Sequence, residues 1–224
     1  MAKPSSRPKQ KDNLYIRHVK ALTYGQSQMI EAYQNNYNII ALGSAGTGKT
    51  FIATYLALKA LFNNDQNQII FVRSTVSSRD MGFLPGSVSE KIAPYFEIYK
   101  DHVNFLSDSG TAWESLVHRG SIRIEPTAFV RGSTWNDAII VIDEAQNLTR
   151  HEIYSVLTRL GKNSRVLILG DSKQTDLPKG SSVEYLNNLG SRMNDDFDII
   201  NFTYNDIVRS EFCKKLIIAD NEIL

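Results

Sequence analysis

The chain has 224 residues, 42% hydrophobic, 22% charged and 10% aromatic, the usage of an ordinary soluble globular protein with one sizeable core. No apolar run approaches the ~20 residues that span a bilayer, and the polar N-terminus lacks a signal peptide's apolar stretch, so membrane and secreted readings are excluded and a cytoplasmic setting is expected. The lone Cys213 cannot close an internal disulfide, and His18, His102, His118 and His151 lack the spacing of a zinc site.

The net charge of +1 is unevenly spread, because residues 1–20 carry Lys3, Arg7, Lys9, Lys11, Arg17 and Lys20 against Asp12, a local +5 that leaves −4 for the rest. With Pro4, Pro8 and almost nothing apolar, MAKPSSRPKQKDN reads as a disordered basic arm, able to touch nucleic acid phosphates or simply to be solvated. The expected division is an arm over 1–20 and one domain over 21–224.

From residue 38 the pattern alternates strand, loop and helix. NIIAL (38–42) is a strand that ends in GSAGTGKT, and KTFIATYLALKALF (49–62) favours helix. IIFV (69–72), AIIVID (138–143), RVLILG (165–170) and DIINFTY (198–204) read as buried strands, with SIRIE (121–125) a further candidate. Helical stretches are expected around 87–106, 113–118, 149–160, 183–189 and 206–219. Thr149 and Glu152 form a capping box at the head of the third of these. Such alternation requires an α/β fold with a mainly parallel sheet flanked by helices. Tyr55, Phe62, Phe71 and Tyr154 fall at core-facing positions, Cys213 reads as a small core residue of the last helix, and Trp113 and Trp135 are open to either core or surface.

The chemistry concentrates where strands end. Gly43, Gly48, Lys49 and Thr50 satisfy GxxxxGK[ST], with Gly46 between them. In such a loop the backbone N–H groups of Gly43, Ser44, Ala45, Gly46, Thr47 and Gly48 turn inward around a phosphate, Lys49 supplies a point charge and Thr50 offers its hydroxyl to Mg2+. The helix that follows points its positive end at the same anion. AIIVIDEAQ, 94 residues further on, delivers Asp143 as a second Mg2+ ligand and Glu144 as the base that polarises an attacking water. In GDSKQTDLP (170–178), Gln174 is a candidate for sensing the γ-phosphate or orienting that water.

Together these stretches resemble the PhoH-like family of P-loop ATPases, related to the superfamily 1 helicase core. The matching segments are GQSQMIEAYQNNYNIIALGSAGTGKT, MGFLPG, EPTAFVRGSTWNDAIIVIDEAQNLT, VLTRLG, GDSKQTDLP and DIVRS, in the family's order from residue 25 to 210. The resemblance implies a single P-loop NTPase (RecA-like) domain that binds and hydrolyses ATP with Mg2+. It casts GSAGTGKT as Walker A, VIDEAQ as Walker B and GDSKQ as the third motif. It also implies that Gln26 reads adenine and that Arg209 contacts the γ-phosphate, either in its own chain or across a subunit boundary. RNA or another single-stranded nucleic acid is the implied partner. Superfamily 1 helicases close nucleotide between two such domains, so a one-domain chain would need to assemble, for example as a hexameric ring.

The stretch RSTVSSRDMGFLPG departs from the acidic residue and glycine that the family commonly carries there, which bears on any nucleic-acid contact by that loop. No nuclease domain is read in the chain, so the ribonuclease activity of two-domain relatives is not carried over. Its compact size resembles PhoH-like proteins encoded by phages, for which the setting would be the host cytoplasm. Arg131 is weighed between phosphate or a neighbouring subunit and an ion pair with Asp137 or Glu125, while Arg73 and Arg159 are left unassigned. Two alternatives from other classes stand beside the ATPase. One is a small-molecule or nucleoside kinase whose lid would come from residues 77–120; the other is a nucleotide-gated interaction protein with little turnover.

Overall fold

The computed structural model describes residues 15–74, 88–127, 130, 132, 134–171 and 182–223. Among these, six strands form one sheet in the order β3-β2-β4-β5-β1-β6: β1 (Asn38–Gly43), β2 (Gln68–Arg73), β3 (Ile122–Pro126), β4 (Ala138–Asp143), β5 (Arg165–Gly170) and β6 (Phe197–Phe202). Every pairing is parallel. Seven α-helices accompany them: α1 (Tyr24–Gln34), α2 (Lys49–Asn63), α3 (Val88–Leu106), α4 (Ala112–His118), α5 (Arg150–Leu157), α6 (Ser182–Arg192) and α7 (Glu211–Ile223). This is the expected α/β P-loop domain. None of the described helices is long and apolar enough to cross a membrane.

The central strands are apolar along their length because both sheet faces are covered, and their residues alternate between two cores. Ile39, Ala41, Ile69, Phe71, Ile139, Val141, Leu167 and Leu169 point into the layer made with α1 to α4. Ile40, Leu42, Ile70, Val72, Ile140, Ile142, Val166 and Ile168 point into the opposite layer, with Ile153, Val156, Val183 and Leu186 of α5 and α6. The central helix α2 buries Ile52, Ala53, Tyr55, Leu56, Ala57 and Leu58, which explains its nearly continuous apolar sequence. The capping box at Thr149 and Glu152 is present.

Several expectations need correction. Helix α1 adds to the expected set, since only Met29, Ala32 and Tyr33 among its larger apolar side chains are buried within a polar sequence. Residues 204–206 form a 3-10 turn capped by Thr203, so the last helix starts at Glu211 rather than 206. Tyr154 faces solvent, 59% exposed, because the short α5 presents Ile153 and Val156 to the core instead. Cys213 is only half-buried, on a helix whose Phe212 and Leu216 are exposed. Trp135 and Trp113 both turn inward.

Of the basic segment, residues 15–20 are described and have no regular secondary structure. Arg17 is seated there: its amide donates to the Leu106 carbonyl at 2.8 Å, and its guanidinium pairs with Asp108 and lies over Phe105. Residues 1–14 lie outside the described residues.

Candidate functional site

The sheet order places β5 between β1 and β4, and all three release their chains at the same carboxyl edge, where ligands of open α/β sheets bind. A cleft of about 510 Å³ opens there, lined by Gly46, Lys49, Thr50, Asp143, Glu144 and Arg209 among others. The loop after β1 turns through Gly46 and Gly48, whose φ values of 76° and 81° are rarely adopted by residues with a side chain. A Cβ at Gly48 would meet Gln26 Nε2 at 2.8 Å, so glycine is required for space as well as for backbone conformation. Lys49 opens α2 and folds back over the loop, with Nζ donating to the carbonyls of Gly43 (2.7 Å) and Ser44 (2.8 Å) and to Thr47 Oγ1 (3.2 Å). Burial pulls the Lys49 pKa below its usual value, opposed by the carboxylates of Asp171, Asp143 and Glu144.

Asp143 ends β4 and is 5% exposed. Its carboxylate accepts the Thr50 hydroxyl, 3.3 Å from Oδ1 and 3.2 Å from Oδ2. The Glu144 amide donates to Oδ1 at 3.0 Å, and the Tyr99 hydroxyl to Oδ2 at 2.7 Å. Glu144 stands in the left-handed region at φ 53°, where the strand breaks into the 3-10 turn 145–147. Its side chain lines the cleft. Two groups brace it: Gln146 Nε2 donates to Oε2 at 2.5 Å, and the Arg73 guanidinium lies 3.7 Å from Oε1. Arg73 occupies the position of β2 paired with Asp143 and also donates to the Tyr95 carbonyl at 2.9 Å. The other end of the Gln146 amide accepts from the Asp171 backbone at 2.8 Å, which ties the turn after β4 to the end of β5.

Gln26 is buried beneath the loop, donating through Nε2 to the Thr47 carbonyl at 3.0 Å and accepting the Leu22 amide at 2.9 Å. Arg209 lies in the stretch between the 3-10 turn and α7, not within the helix. The preceding residue, Val208, donates its amide to the Gly46 carbonyl at 3.0 Å, which lays this stretch across the loop. Arg209 therefore lines the cleft of its own chain. Gln174 and Arg131 lie outside the described residues, as does MGFLPG. Of the two acids considered as partners for Arg131, Glu125 pairs with Arg123 and Asp137 accepts from Asn163 at 3.1 Å.

The profile of the PhoH-like protein family matches residues 18–220, nearly the whole chain. The chain belongs to the PhoH-like family. A PhoH-like protein of Synechocystis is 40% identical over 162 residues, covering 71% of this chain and 49% of its own. The Bacillus subtilis PhoH-like protein is 36% identical over 206 residues (91% and 64%), and Escherichia coli K12 protein PhoH 36% over 205 (90% and 58%). The chain thus spans about half to two thirds of the length of these relatives. Among solved structures, the Sulfolobus solfataricus SWI2/SNF2 ATPase core in complex with dsDNA superposes with a TM-score of 0.49 at 15% identity, covering 86% of this chain and 47% of that one.

The site of this PhoH-like chain has the geometry of a P-loop, and its donors suit a magnesium nucleotide. A neutral hydroxyl and a carboxylate meet at hydrogen-bond distance, an oxygen pair that a hard cation takes as two ligands while keeping its waters. Lys49 is gathered with the loop, a placement that suits a phosphate. Two residues of the cleft region carry no signal in the sequence. Tyr99 is fully buried, and burial together with the Asp143 charge holds its pKa well above the usual value, so it remains a donor. His102, one turn further along α3, lines the cleft and meets Phe51 edge-on at 5.2 Å; burial lowers its pKa. Both come from a helix that lies outside every motif quoted above.

Proposed function

We propose that this PhoH-like chain binds ATP with Mg2+ and hydrolyses it, coupled to RNA or another single-stranded nucleic acid, as a helicase-like homo-oligomer. The observation that carries the reading is the Thr50–Asp143 pair, with Glu144 beside it and Lys49 within the loop. In this reading, loop amides and Lys49 bind the β- and γ-phosphates, Thr50 and Asp143 hold Mg2+, and Gln26 faces the adenine end. Bound there, Mg2+ would neutralise charge on the phosphate oxygens. Glu144, held by Gln146 and Arg73, takes the proton of the attacking water as its oxygen bonds to the γ-phosphorus and the bond from that phosphorus to the β–γ bridging oxygen breaks, releasing ADP and phosphate. Arg209 offsets charge gathering on the γ-phosphate. Gln174 orients that water.

Coupling to nucleic acid rests on the helicase-like order of the motifs and on the basic residues at the N-terminus. Assembly rests on the cleft itself, which lies open at the sheet edge of the described domain, and a neighbouring copy in a ring such as a hexamer would close it over the nucleotide. The described part of the segment that a kinase would use as a lid, α3 and α4, is instead packed into the core through Phe96, Tyr99, Val103, Leu106 and Leu116. The test is phosphate release from ATP alone, with single-stranded RNA, and with a phosphoryl acceptor, together with solution mass with and without a non-hydrolysable ATP analogue. Turnover stimulated by RNA in an assembled species supports the reading. Turnover that depends on a phosphoryl acceptor overturns it.

A further inference from the structure

The geometry points to Tyr99 as the residue that positions the metal-holding carboxylate, a role that rests on the Mg·ATP reading above. Three donors surround the two oxygens of Asp143. Thr50 spans both, the Glu144 amide holds Oδ1, and the Tyr99 hydroxyl holds Oδ2 at 2.7 Å, shorter than either approach of Thr50. With a cation held by Thr50 and Asp143, the Thr50 hydroxyl would no longer donate to the carboxylate, and the amide and the phenol would remain to fix its rotation about the Cβ–Cγ bond. The amide is part of the same turn and moves with Asp143. Tyr99 comes from a different element and supplies an external reference.

Its own position is well fixed. The ring is fully buried, stacked on Phe71 at 4.4 Å with the planes 23° apart, and tilted against Phe96 at 5.6 Å. Phe71 belongs to β2, which pairs directly with β4, so the strand that delivers Asp143 and the ring that steadies it share one rigid support. The donor is also neutral. A lysine or arginine at this place would orient the carboxylate but cancel the charge that attracts a divalent cation; a phenol orients it and leaves that charge in place.

Tyr99→Phe separates the hydroxyl from the packing, since the ring keeps its place against Phe71 and Phe96. The readout is Mn2+ binding, followed by electron paramagnetic resonance in the presence of ADP, alongside binding of a fluorescent ADP analogue in EDTA and the Mg2+ concentration at half-maximal ATP turnover. Loss of an outer hydrogen bond to a metal ligand costs ~10-fold or more in metal affinity. The expected result is therefore about tenfold weaker Mn2+ binding and a matching rise in the Mg2+ requirement, with unchanged analogue binding in EDTA. Unchanged Mn2+ affinity in Tyr99→Phe, with normal binding by the unsubstituted protein, overturns the role of Tyr99 alone. Equal weakening of analogue binding in EDTA makes the residue merely structural. Failure of the unsubstituted protein to hold Mn2+ with ADP removes the Mg·ATP reading and this inference with it.

Discussion

Arg209 lies across Gly46 of its own phosphate loop, so closely that a Cβ added at Gly46 would come within 2.7 Å of Arg209 Cγ. The Val208 amide, bonded to the Gly46 carbonyl at 3.0 Å, holds the backbone beside it. This arrangement seats Arg209 at the cleft of its own chain. Arg209→Ala and Lys49→Ala are each expected to lower ATP turnover by ~10³ or more. Mixed after confirmed subunit exchange, they should stay at the level of the separate variants, because neither chain holds a whole site. Recovered turnover would place the arginine at a neighbour's site instead.

Glu144→Gln should part binding from chemistry. The amide keeps the size of the side chain and its place beside Gln146, but it cannot accept the proton of the attacking water. Hydrolysis should fall about 10²- to 10⁴-fold while binding of a fluorescent ATP analogue stays within about twofold. Equal loss of both would make Glu144 a structural residue.

Asp206 links two parts of the cleft edge. Its carboxylate accepts the Gly25 amide at 2.8 Å and the Thr203 amide at 2.8 Å, joining the start of α1, which carries Gln26, to the turn that leads into Arg209. Burial works to raise its pKa, but the backbone bonds from Thr203 and Gly25 and the hydroxyls of Thr23 and Thr203 outweigh it, and the net shift is downward. A lowered carboxylate pKa contributes stability that is fully present above the unfolded value of about 3.9 and lost as pH falls through the lower folded value. Asp206→Asn should cost about 2 kcal/mol at pH 7, read from urea midpoints. Since asparagine does not titrate, the gap from the unsubstituted protein should narrow below about pH 4. A gap constant from neutral to acid pH would assign the stabilisation to something other than the charge.

Deleting residues 1–12 removes Lys3, Arg7, Lys9 and Lys11 while leaving Arg17 on α3. If these cations neutralise phosphates of single-stranded RNA, removing each such pairing reduces the slope of log affinity against log salt by about 0.7. The expected result is weaker RNA binding with a slope reduced by up to about 3, and unchanged ATP turnover without RNA. An unaltered slope would mean that the segment is a solvated tail.

What the amino-acid order determined by itself is what local chemistry determines. Strands such as Ala138–Asp143 and Arg165–Gly170 declare themselves because both their faces are buried and their runs are almost wholly apolar. The phosphate loop is legible because glycines, Lys49 and Thr50 must be contiguous to wrap one anion, and the Thr149 cap because its partner stands three residues away. Helix α1 is not legible, as its buried Met29, Ala32 and Tyr33 are too few among polar neighbours to mark a face. Only tertiary structure brought Tyr99 to Asp143, 44 residues on, and Gly25 to Asp206, 181 residues on. Neither pairing leaves a local pattern, because a buried tyrosine or an aspartate in a turn is common in any chain. The direction of Arg209 was decided in the same way. A backbone bond to Gly46 and a 3-10 turn whose capping box pairs Thr203 with Asp206, rather than helix propensity, laid its side chain over the loop where phosphate would bind.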